Sequence, residues 1–387
     1  MLKEATRPVW SLNEFDKTLV TATYFGFMPI MAPKVTDADI EAAKHCIPHP
    51  HFDAVEKAAL IRHYNEHNFA SLPHPLALAY CLGGGKRRTQ GYSLHFIGAQ
   101  TGIAEATLIR TALSILADEG YENLHVDINC IGDKDSFYAY ERELINYVKK
   151  FGADMSESLR QSLKQDIFNL FKHDEEEAAR LRSTAPSSIN FLSSLSRLHF
   201  KEVLEYLESL GIDFRLTPEL IGEKNHSSHT IFAIKGIGSS NSKEGNESTL
   251  AVGYRYSRLG KKMGFRKEVP MAGVTLFSQD QQVEKKVYKQ LPKPKFYLIQ
   301  LGRDAKMKTL SLIELLRSHK IPVHHFLGKD KLAVQLSNAE NLRVTYLIII
   351  GQKEAIDGTA TIRNMSTRAQ DTISVEMLPD YLKNIAL

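Results

Sequence analysis

The sequence is poor in several features that assign proteins to common classes. It has three cysteines and one tryptophan in 387 residues. The cysteines, Cys46, Cys81 and Cys130, are isolated and odd in number, which argues against a disulfide framework and fits a reducing cytosol. No apolar run approaches the roughly 20 residues that cross a bilayer, and the N-terminus lacks the apolar segment of a secretion signal. We therefore predict a cytoplasmic protein without a membrane partner.

The nucleotide-binding sequence Gly-x-Gly-x-x-Gly is also absent after any predicted strand, which argues against a doubly wound dinucleotide domain. The N-terminal part instead has predicted strands, then a helical block at 156–211, then strands again. That order predicts an α+β domain in which an antiparallel sheet carries a helical insertion. The strands are expected at 76–82, 93–100, 124–131, 230–235, 250–253 and 272–277, and the first two should form a hairpin around a glycine-rich basic loop.

A chain of this length is too long for one compact core, and its clearest boundary is Val287–Lys295. Two prolines among lysines cannot continue a helix or a central strand. Beyond this segment, strands and helices alternate, which predicts an α/β domain with a largely parallel sheet. We predict a core at 1–283 with an insertion at about 156–215, a linker at 284–295 and a second domain at 296–387.

The net charge of +4 is unevenly distributed. Residues 284–331 hold twelve Lys and Arg against four acids, so this window is near +8 and the rest of the chain near −4. A local basic field attracts polyanions such as nucleic acids. The alternative is a solvated helix face beside a lysine-rich linker.

The C-terminal unit resembles the anticodon-binding domain shared by the histidine, glycine, threonine and proline tRNA synthetases. The resemblance rests on Ile321–Lys331, Val344–Gly351 and Gly358–Asn364. It implies that tRNA or another RNA binds here. Arginine reads and stacks on unpaired bases and lysine contacts phosphates, so the candidate RNA-binding residues are Lys306, Lys308, Lys331, Arg343 and Arg363.

Upstream segments resemble the class II core of histidyl-tRNA synthetase in their order along the chain. They are Phe25–Pro33 (the dimer-forming motif), Arg62–Tyr64, Ser71–Leu76, Leu94–Gly98, Val126–Asp133, Ala185–Pro186, Ser196–Phe200, Leu210–Ile212 and Val252–Ser257. The resemblance implies a class II synthetase-like fold, a homodimer and an ancestral ATP-dependent aminoacylation.

The positions that would bind histidine in such an enzyme are altered. A Glu and a Thr that hold the substrate amine are matched by Val55 and Lys57, and a hydrocarbon cannot bind an ammonium group that a lysine would repel. A Gln and a Glu on the return strand of the second motif are matched by Phe96 and Gln100. The resemblance therefore implies a degenerate amino-acid pocket.

The positions that would hold ATP are altered as well. Lys86 is the nearest match to the Arg that grips the α-phosphate, Gly222 replaces the catalytic Arg, and Asp280 replaces the Arg that clamps the γ-phosphate. A carboxylate beside a polyphosphate is repulsive. Of the side chains of the Gly-Gly-Arg-Tyr-Asp stretch, only those of Arg255 and Tyr256 survive, so Lys86 and Arg255 are the remaining candidates for contacting ATP.

We therefore predict a histidyl-tRNA synthetase paralogue without ligase activity, which binds RNA and needs no cofactor. One alternative is a divergent active ligase that uses ATP and Mg²⁺. Another is a regulatory subunit similar to that of ATP phosphoribosyltransferase, a relative that usually lacks the C-terminal domain.

Three smaller patterns have both a functional and a plain interpretation. His45–His51 contains three imidazoles and a thiol, which is either a zinc site or a surface loop. Gly83–Arg88 is either a basic loop that contacts RNA or a flexible hairpin tip. The cations Arg255, Arg258, Lys261, Lys262, Arg266 and Lys267 either fill the altered pocket or present a surface to a polyanion.

Overall fold

The computed structural model describes residues 12, 14–44, 53–83, 91–151, 155–172, 175–222, 226–237, 247–265, 267–277, 287–291, 293–328 and 331–386. The first domain is built on a sheet with the strand order β1-β2-β3-β8-β7-β6-β4-β5. Its strands are β1 (Met28–Pro29), β2 (Leu76–Leu82), β3 (Gly91–Ile97), β4 (Glu122–Cys130), β5 (Phe214–Leu216), β6 (Ser228–Ile237), β7 (Ser248–Arg255) and β8 (Met271–Phe277).

The interior of this sheet is antiparallel, as the sequence predicted, and only the outer pairs β1–β2 and β4–β5 run parallel. Successive residues of each strand point to opposite faces. Phe232 and Ile234 of β6 therefore face one hydrophobic cluster, while Ile231 and Ala233 face another. Both faces are buried, so the strands are apolar along most of their length.

Helices cover both faces of the sheet. They are α1 (Lys17–Tyr24), α2 (Asp37–Ala43), α3 (Ala54–Glu66), α4 (Ile103–Asp118), α5 (Lys134–Lys149) and α9 (Ser257–Lys262), with α6 (Glu157–Gln165), α7 (Glu176–Ser183) and α8 (Ser194–Ser209) in the insertion. Helix α4 lies across one face and contacts β3, β4, β6, β7 and β8. Helices α3, α5 and α9 contribute to the cluster on the opposite face.

Helix α5 is a part of the core that the sequence analysis did not predict. Its N-cap residue Asp133 accepts a hydrogen bond from the backbone of Ser136 at 2.9 Å. Phe137, Tyr140 and Leu144 then recur at helical spacing and are buried. Many charged residues between them dilute the hydrophobic pattern, which explains the omission.

The second domain has a sheet in the order β10-β9-β11-β12-β13. Its elements are β9 (Phe296–Gln300), α10 (Arg303–Ser318), β10 (Val323–His325), α11 (Leu332–Asn341), β11 (Tyr346–Ile350), α12 (Gln352–Asp357), β12 (Thr359–Asn364), β13 (Gln370–Ser374) and α13 (Leu378–Ala386). Strands β9, β10 and β11 are parallel, but β12 and β13 form an antiparallel hairpin. The prediction of a largely parallel sheet was therefore right for three strands, and it missed β13 and α12.

The two domains share one hydrophobic cluster, which includes Leu116 of α4 and Leu310 and Leu316 of α10. Ion pairs line its border: the Arg317 guanidinium lies 2.9 Å from the Asp118 carboxylate and 2.7 Å from that of Glu314. The second domain therefore packs firmly on the face of the first domain that α4 covers. None of the described helices has the length and apolarity needed to span a membrane.

Candidate functional site

Lys57 belongs to a closed polar network inside the first domain. Its side chain is 1% exposed. The Nζ atom donates to Glu56 Oε2 at 2.6 Å and to Thr275 Oγ1 at 3.0 Å, and it lies 5.6 Å from the centroid of the Tyr254 ring. The lysine predicted to face a substrate amine is therefore held by groups of its own chain.

His95 is the second centre of this network. Its Nε2 atom lies 2.8 Å from Ser93 Oγ and 3.0 Å from the Tyr80 hydroxyl, and its Nδ1 atom lies 2.9 Å from the Tyr256 hydroxyl. Burial lowers the pKa of His95 and so favours the neutral ring. We call Glu56, Lys57, Tyr80, Ser93, His95, Tyr256 and Thr275 the Lys57 cluster.

Glu56 supplies the negative charge of the Lys57 cluster. Burial opposes its ionisation, but the Lys57 ammonium and His95 hold the pKa of this carboxyl well below its usual range. Tyr80 also donates a hydrogen bond to it. The charges are thus balanced inside the protein, and a buried pair of this kind is costly to break from one side.

Val55 and Phe96 do not join Lys57 in a pocket. Val55 is half-buried and packs against Ala43 and Ala54, where α2 meets α3. Phe96 points to the other face of the sheet, where its ring meets that of Phe27 edge-on with centroids 5.1 Å apart. The structure therefore separates three of the positions that the resemblance brought to one substrate site.

Gly222 is enclosed by its neighbours. A Cβ atom added there would lie 2.5 Å from Ile231 Cδ1 and 2.7 Å from Ser227 Cβ. These distances are too short for ordinary contact, so even an alanine requires movement at this position. The space that a catalytic arginine would occupy is filled by hydrocarbon and a hydroxyl group.

His226 lies close to the same place and is fully buried. Neither of its ring nitrogens has a hydrogen-bond partner among the described residues. Burial, with smaller contributions from Lys57 and Lys262, lowers the pKa of His226 to about 3. This ring is therefore neutral at physiological pH.

Arg255 faces the side of the sheet opposite Tyr254 and Tyr256, because side chains alternate along β7 and into the following residue. Its guanidinium binds the carboxylate of Glu105 on α4 through Nε at 2.9 Å and Nη2 at 2.6 Å, and its Nη1 donates to the Ala99 carbonyl at 2.8 Å. Glu105 is fully buried and also contacts His199 at 2.8 Å. Arg255, one of two ATP-contact candidates, is thus already bound in a bidentate ion pair.

A cavity of about 730 Å³ adjoins this ion pair between α8 and the sheet. Gln100, His199, His229 and Arg255 form part of its wall. Three carboxylates also line it, from Glu202, Glu205 and Glu268, and Glu205 is paired with both Arg303 and Lys201. The lining is acidic, and its cations Lys201, Arg255 and Arg303 are already paired with glutamates. The cavity therefore disfavours a polyphosphate.

The structure brings Gln100 and Arg255 together at this cavity and leaves Val55, Lys57, Phe96 and Gly222 elsewhere. Lys86 and Asp280 lie outside the described residues, as do Arg266, the segment His45–His51 and most of the Gly83–Arg88 loop. The predictions for those residues remain predictions.

The candidate RNA-binding residues divide between two faces and two ends of the second domain. Lys306 and Lys308 lie on α10, the helix whose Met307 carbonyl accepts a hydrogen bond from Ser209 of α8 at 3.2 Å. Lys331 precedes α11, which covers the opposite face of the sheet and binds the end of β9 through Gln335.

Arg343 and Arg363 lie together at the other end of this sheet. Arg343 follows α11 and precedes β11, and Arg363 of β12 is paired with Leu347 of β11. Arg343 is exposed and Arg363 half-buried. Neither side chain has an ion-pair or hydrogen-bond partner among the described residues, so both guanidinium groups can reach a ligand at this end of the sheet.

The sequence analysis did not identify the acidic residues that pair with the buried cations. Glu56 adjoins Lys57 and Glu105 lies within the apolar run Ile103–Ile109. An acid in the buried stripe of a helix needs a partner, so Glu105 offered a detectable signal. The partner itself, 150 residues away, was not deducible from spacing.

Comparison with known proteins identifies the second domain. Residues 295–385 match the family model of an anticodon-binding domain. Over 341 residues the chain is 28% identical to the histidine–tRNA ligase of Synechococcus elongatus, covering 84% of this chain and 76% of that one. It is 25% identical over 347 residues to the ligase of Anoxybacillus flavithermus, covering 85% of this chain and 80% of that one.

The fold of the chain is similar to a solved synthetase. The apo histidyl-tRNA synthetase of S. aureus aligns with a TM-score of 0.51 and 21% identity, covering 93% of this chain and 92% of that one. The chain is therefore histidyl-tRNA synthetase-like, with a class II synthetase-like core and a C-terminal anticodon-binding domain. This confirms the predicted fold class, while the predicted loss of catalysis remains a separate question.

Proposed function

We propose that this histidyl-tRNA synthetase-like chain is not a ligase and binds tRNA or another RNA through its anticodon-binding domain. The cytoplasmic location and the homodimer implied by the resemblance belong to the same proposal. The single observation that carries it is the state of Arg255, the one surviving candidate for gripping ATP that the structure describes. Glu105 binds one edge of its guanidinium through Nε and Nη2, and the Ala99 carbonyl accepts from Nη1.

Energetics support the non-catalytic assignment. Each lost contact to a transition-state charge typically costs about 10²–10³ in rate. At position 222 the contact is absent and its space is filled. A contact between Arg255 and the transition state would require breaking the buried bidentate pair with Glu105. Breaking such a pair by removing one partner costs about 3–5 kcal/mol. Both losses fall on the same reaction, so they compound.

The RNA-binding assignment rests on the β12–β13 edge of the sheet face on which α11 packs against β9. Ala360 and Ile362 of β12 point into the hydrophobic core, so Thr361 and Arg363 point the other way. Their partners across the hairpin are Thr372 and Gln370, which are exposed. We call Thr361, Arg363, Gln370 and Thr372, together with the adjacent Arg343, the hairpin strip.

The chemistry of the hairpin strip suits single-stranded RNA. The Gln370 amide and the Thr372 hydroxyl can hydrogen-bond to base edges, whereas the Thr361 hydroxyl already donates to Glu354 Oε1 at 3.1 Å. The two guanidinium groups can stack on bases or contact phosphates. Hydrophobic binding partners are less suited, because the strip offers little apolar surface. It also lies at the opposite end of the sheet from Lys331, so the whole set of candidate cations cannot act as one patch.

The decisive experiment measures binding of total tRNA to the purified full chain by fluorescence anisotropy over a series of salt concentrations. We expect Arg343→Gln and Arg363→Gln each to weaken binding about tenfold or more, and each lost phosphate contact to reduce the salt slope by about 1. Lys149→Gln, which removes the same charge from an exposed site on α5, is the matched control.

The same preparations should show no histidine-dependent ATP–pyrophosphate exchange. Exchange that Arg255→Ala abolishes would establish the divergent-ligase alternative. RNA binding that neither arginine change affects would refute the hairpin strip, and a chain that binds no tRNA would favour the regulatory alternative.

A further inference from the structure

Helix α3 ends with three potential metal ligands that lie close together and that the proposed function does not use. The sequence His63-Tyr-Asn-Glu66-His67 places two imidazoles and a carboxylate at helical spacings of three and four residues, which brings them to one side of the helix. One ligand atom from each residue lies within 4.8 Å of the other two. The two imidazole rings have centroids only 4.2 Å apart.

We propose that His63, Glu66 and His67 bind a divalent transition-metal ion of the zinc class. Two nitrogen donors and one carboxylate oxygen form a ligand set that zinc prefers, at metal–ligand distances of roughly 2.0–2.2 Å. Ligands at such distances in a tetrahedral site lie about 3.3–3.5 Å apart, so small side-chain rotations bring the three groups into position. Three protein ligands leave a fourth place for water.

His63 is prepared for this role by its surroundings. Its ring meets Phe69 edge-on at a centroid distance of 5.6 Å, which fixes its orientation. Its Nε2 atom is buried without a hydrogen-bond partner among the described residues.

Glu66 can exchange its present partner for a metal. It now accepts from Arg62 Nη1 at 2.8 Å and 2.9 Å. Arg62 has a second, fully buried partner in Asp39, 3.1 Å from its Nε atom. Losing Glu66 therefore leaves no unpaired buried charge on Arg62. The carboxylate of Glu66 is 52% exposed, which lets an ion enter from solvent.

The position in the helix adds to the attraction. Glu66 is the last residue of α3 and His67 is its C-cap. The backbone carbonyl groups at a helix C-terminus carry partial negative charge and favour a nearby cation. Mg²⁺ and Ca²⁺ prefer oxygen ligands throughout, so the two imidazoles select a transition metal.

The experiment titrates the metal-free full chain with Co²⁺ and then Zn²⁺. We expect one equivalent of Co²⁺ to give the visible absorption of a tetrahedral site, and Zn²⁺ but not Mg²⁺ to displace it. In His67→Ala and in Glu66→Gln the dissociation constant should rise by at least the roughly 10–100-fold that loss of a supporting outer-shell group causes.

His319→Ala is the matched control, because His319 is the exposed C-cap of α10 as His67 is of α3. Glu66→Gln keeps the shape of an exposed side chain, so it tests the site even where removal of a packed imidazole perturbs folding. Absence of saturable Co²⁺ and Zn²⁺ binding by the wild type would overturn the proposal. So would binding that survives both variants, which would point to the His45–His51 segment. Neither outcome depends on whether the chain binds RNA.

Discussion

The two domains place their cations in opposite ways. In the synthetase-like core, Arg255 and Lys57 are 3% and 1% exposed, and each is paired with a buried glutamate. In the anticodon-binding domain, Arg343 and Arg363 at the hairpin strip reach solvent and have no ionic partner among the described residues. These two core cations therefore hold the core together, whereas Arg343 and Arg363 of the second domain stay available to a ligand.

This difference explains how the core would keep its fold without the catalytic contacts that we propose it has lost. A catalytic site needs cations that stay unpaired until a ligand arrives, which costs stability. Pairing Arg255 with Glu105 removes that cost and leaves two groups that depend on one another. A buried ion pair is not strongly stabilising relative to apolar residues, but it is strongly destabilising to break. The two domains should therefore differ in how much the free energy of unfolding falls when one charged residue is replaced.

The largest effect is expected from Glu105→Ala. It leaves the Arg255 guanidinium buried without a counter-charge, so the free energy of unfolding should fall by about 3–5 kcal/mol. Urea unfolding of the full chain measures this change. The double variant Glu105→Leu with Arg255→Met replaces the pair by apolar groups and should recover most of the loss. If the free energy of unfolding falls by less than about 1 kcal/mol, Arg255 is not held by Glu105 as described and the core is open to water.

A second, smaller effect concerns His226 and tests whether the core is closed to water. The nitrogens of this buried ring have no hydrogen-bond partner among the described residues. Replacing the ring by leucine should raise the free energy of unfolding by about 1–3 kcal/mol near pH 7, the usual cost of an unsatisfied buried polar group. His319→Leu, at an exposed position, is the control. Lower stability of His226→Leu at pH 7 would show that the ring has partners in solution.

The pH dependence of that difference has a definite sign. Burial lowers the pKa of folded His226 to about 3, while an unfolded histidine titrates near 6.5. The unfolded chain therefore takes up a proton first, and the wild type loses stability as pH falls below about 6.5. The advantage of His226→Leu should grow by about 2 kcal/mol between about pH 7.5 and pH 5. A constant difference would mean that His226 reaches water in the folded protein.

The sequence predicted the fold well because most elements have a strong local pattern. The alternation of strands and helices after Lys295 and the hairpin of β2 and β3 were both predictable from apolar spacing. Helix α5 and strand β13 were missed, because charged and polar residues interrupt their apolar positions. Local patterns therefore gave the architecture where burial is continuous.

The site was much less predictable, because it depends on contacts between distant segments. The resemblance directed attention to Lys57, Gly222 and Arg255, but it could not say what surrounds them. Lys57 meets Thr275 and Arg255 meets Glu105, partners separated by 218 and 150 residues. Only the three-dimensional structure shows that the charges of Lys57 and Arg255 are already neutralised by glutamates. We therefore interpret these two residues as members of structural ion pairs and not as altered ligand contacts.

The smallest expected effect completes the comparison between the domains. Arg343→Gln and Arg363→Gln, alone or together, should change the free energy of unfolding by no more than about 0.5 kcal/mol, because neither guanidinium makes an ion pair that folding would lose. The same urea series that detects Glu105→Ala measures this. A loss above about 1 kcal/mol would place these arginines among the structural cations. Weaker RNA binding by those variants would then reflect a damaged fold. An unchanged stability together with weakened RNA binding would separate binding cations from structural ones within a single chain.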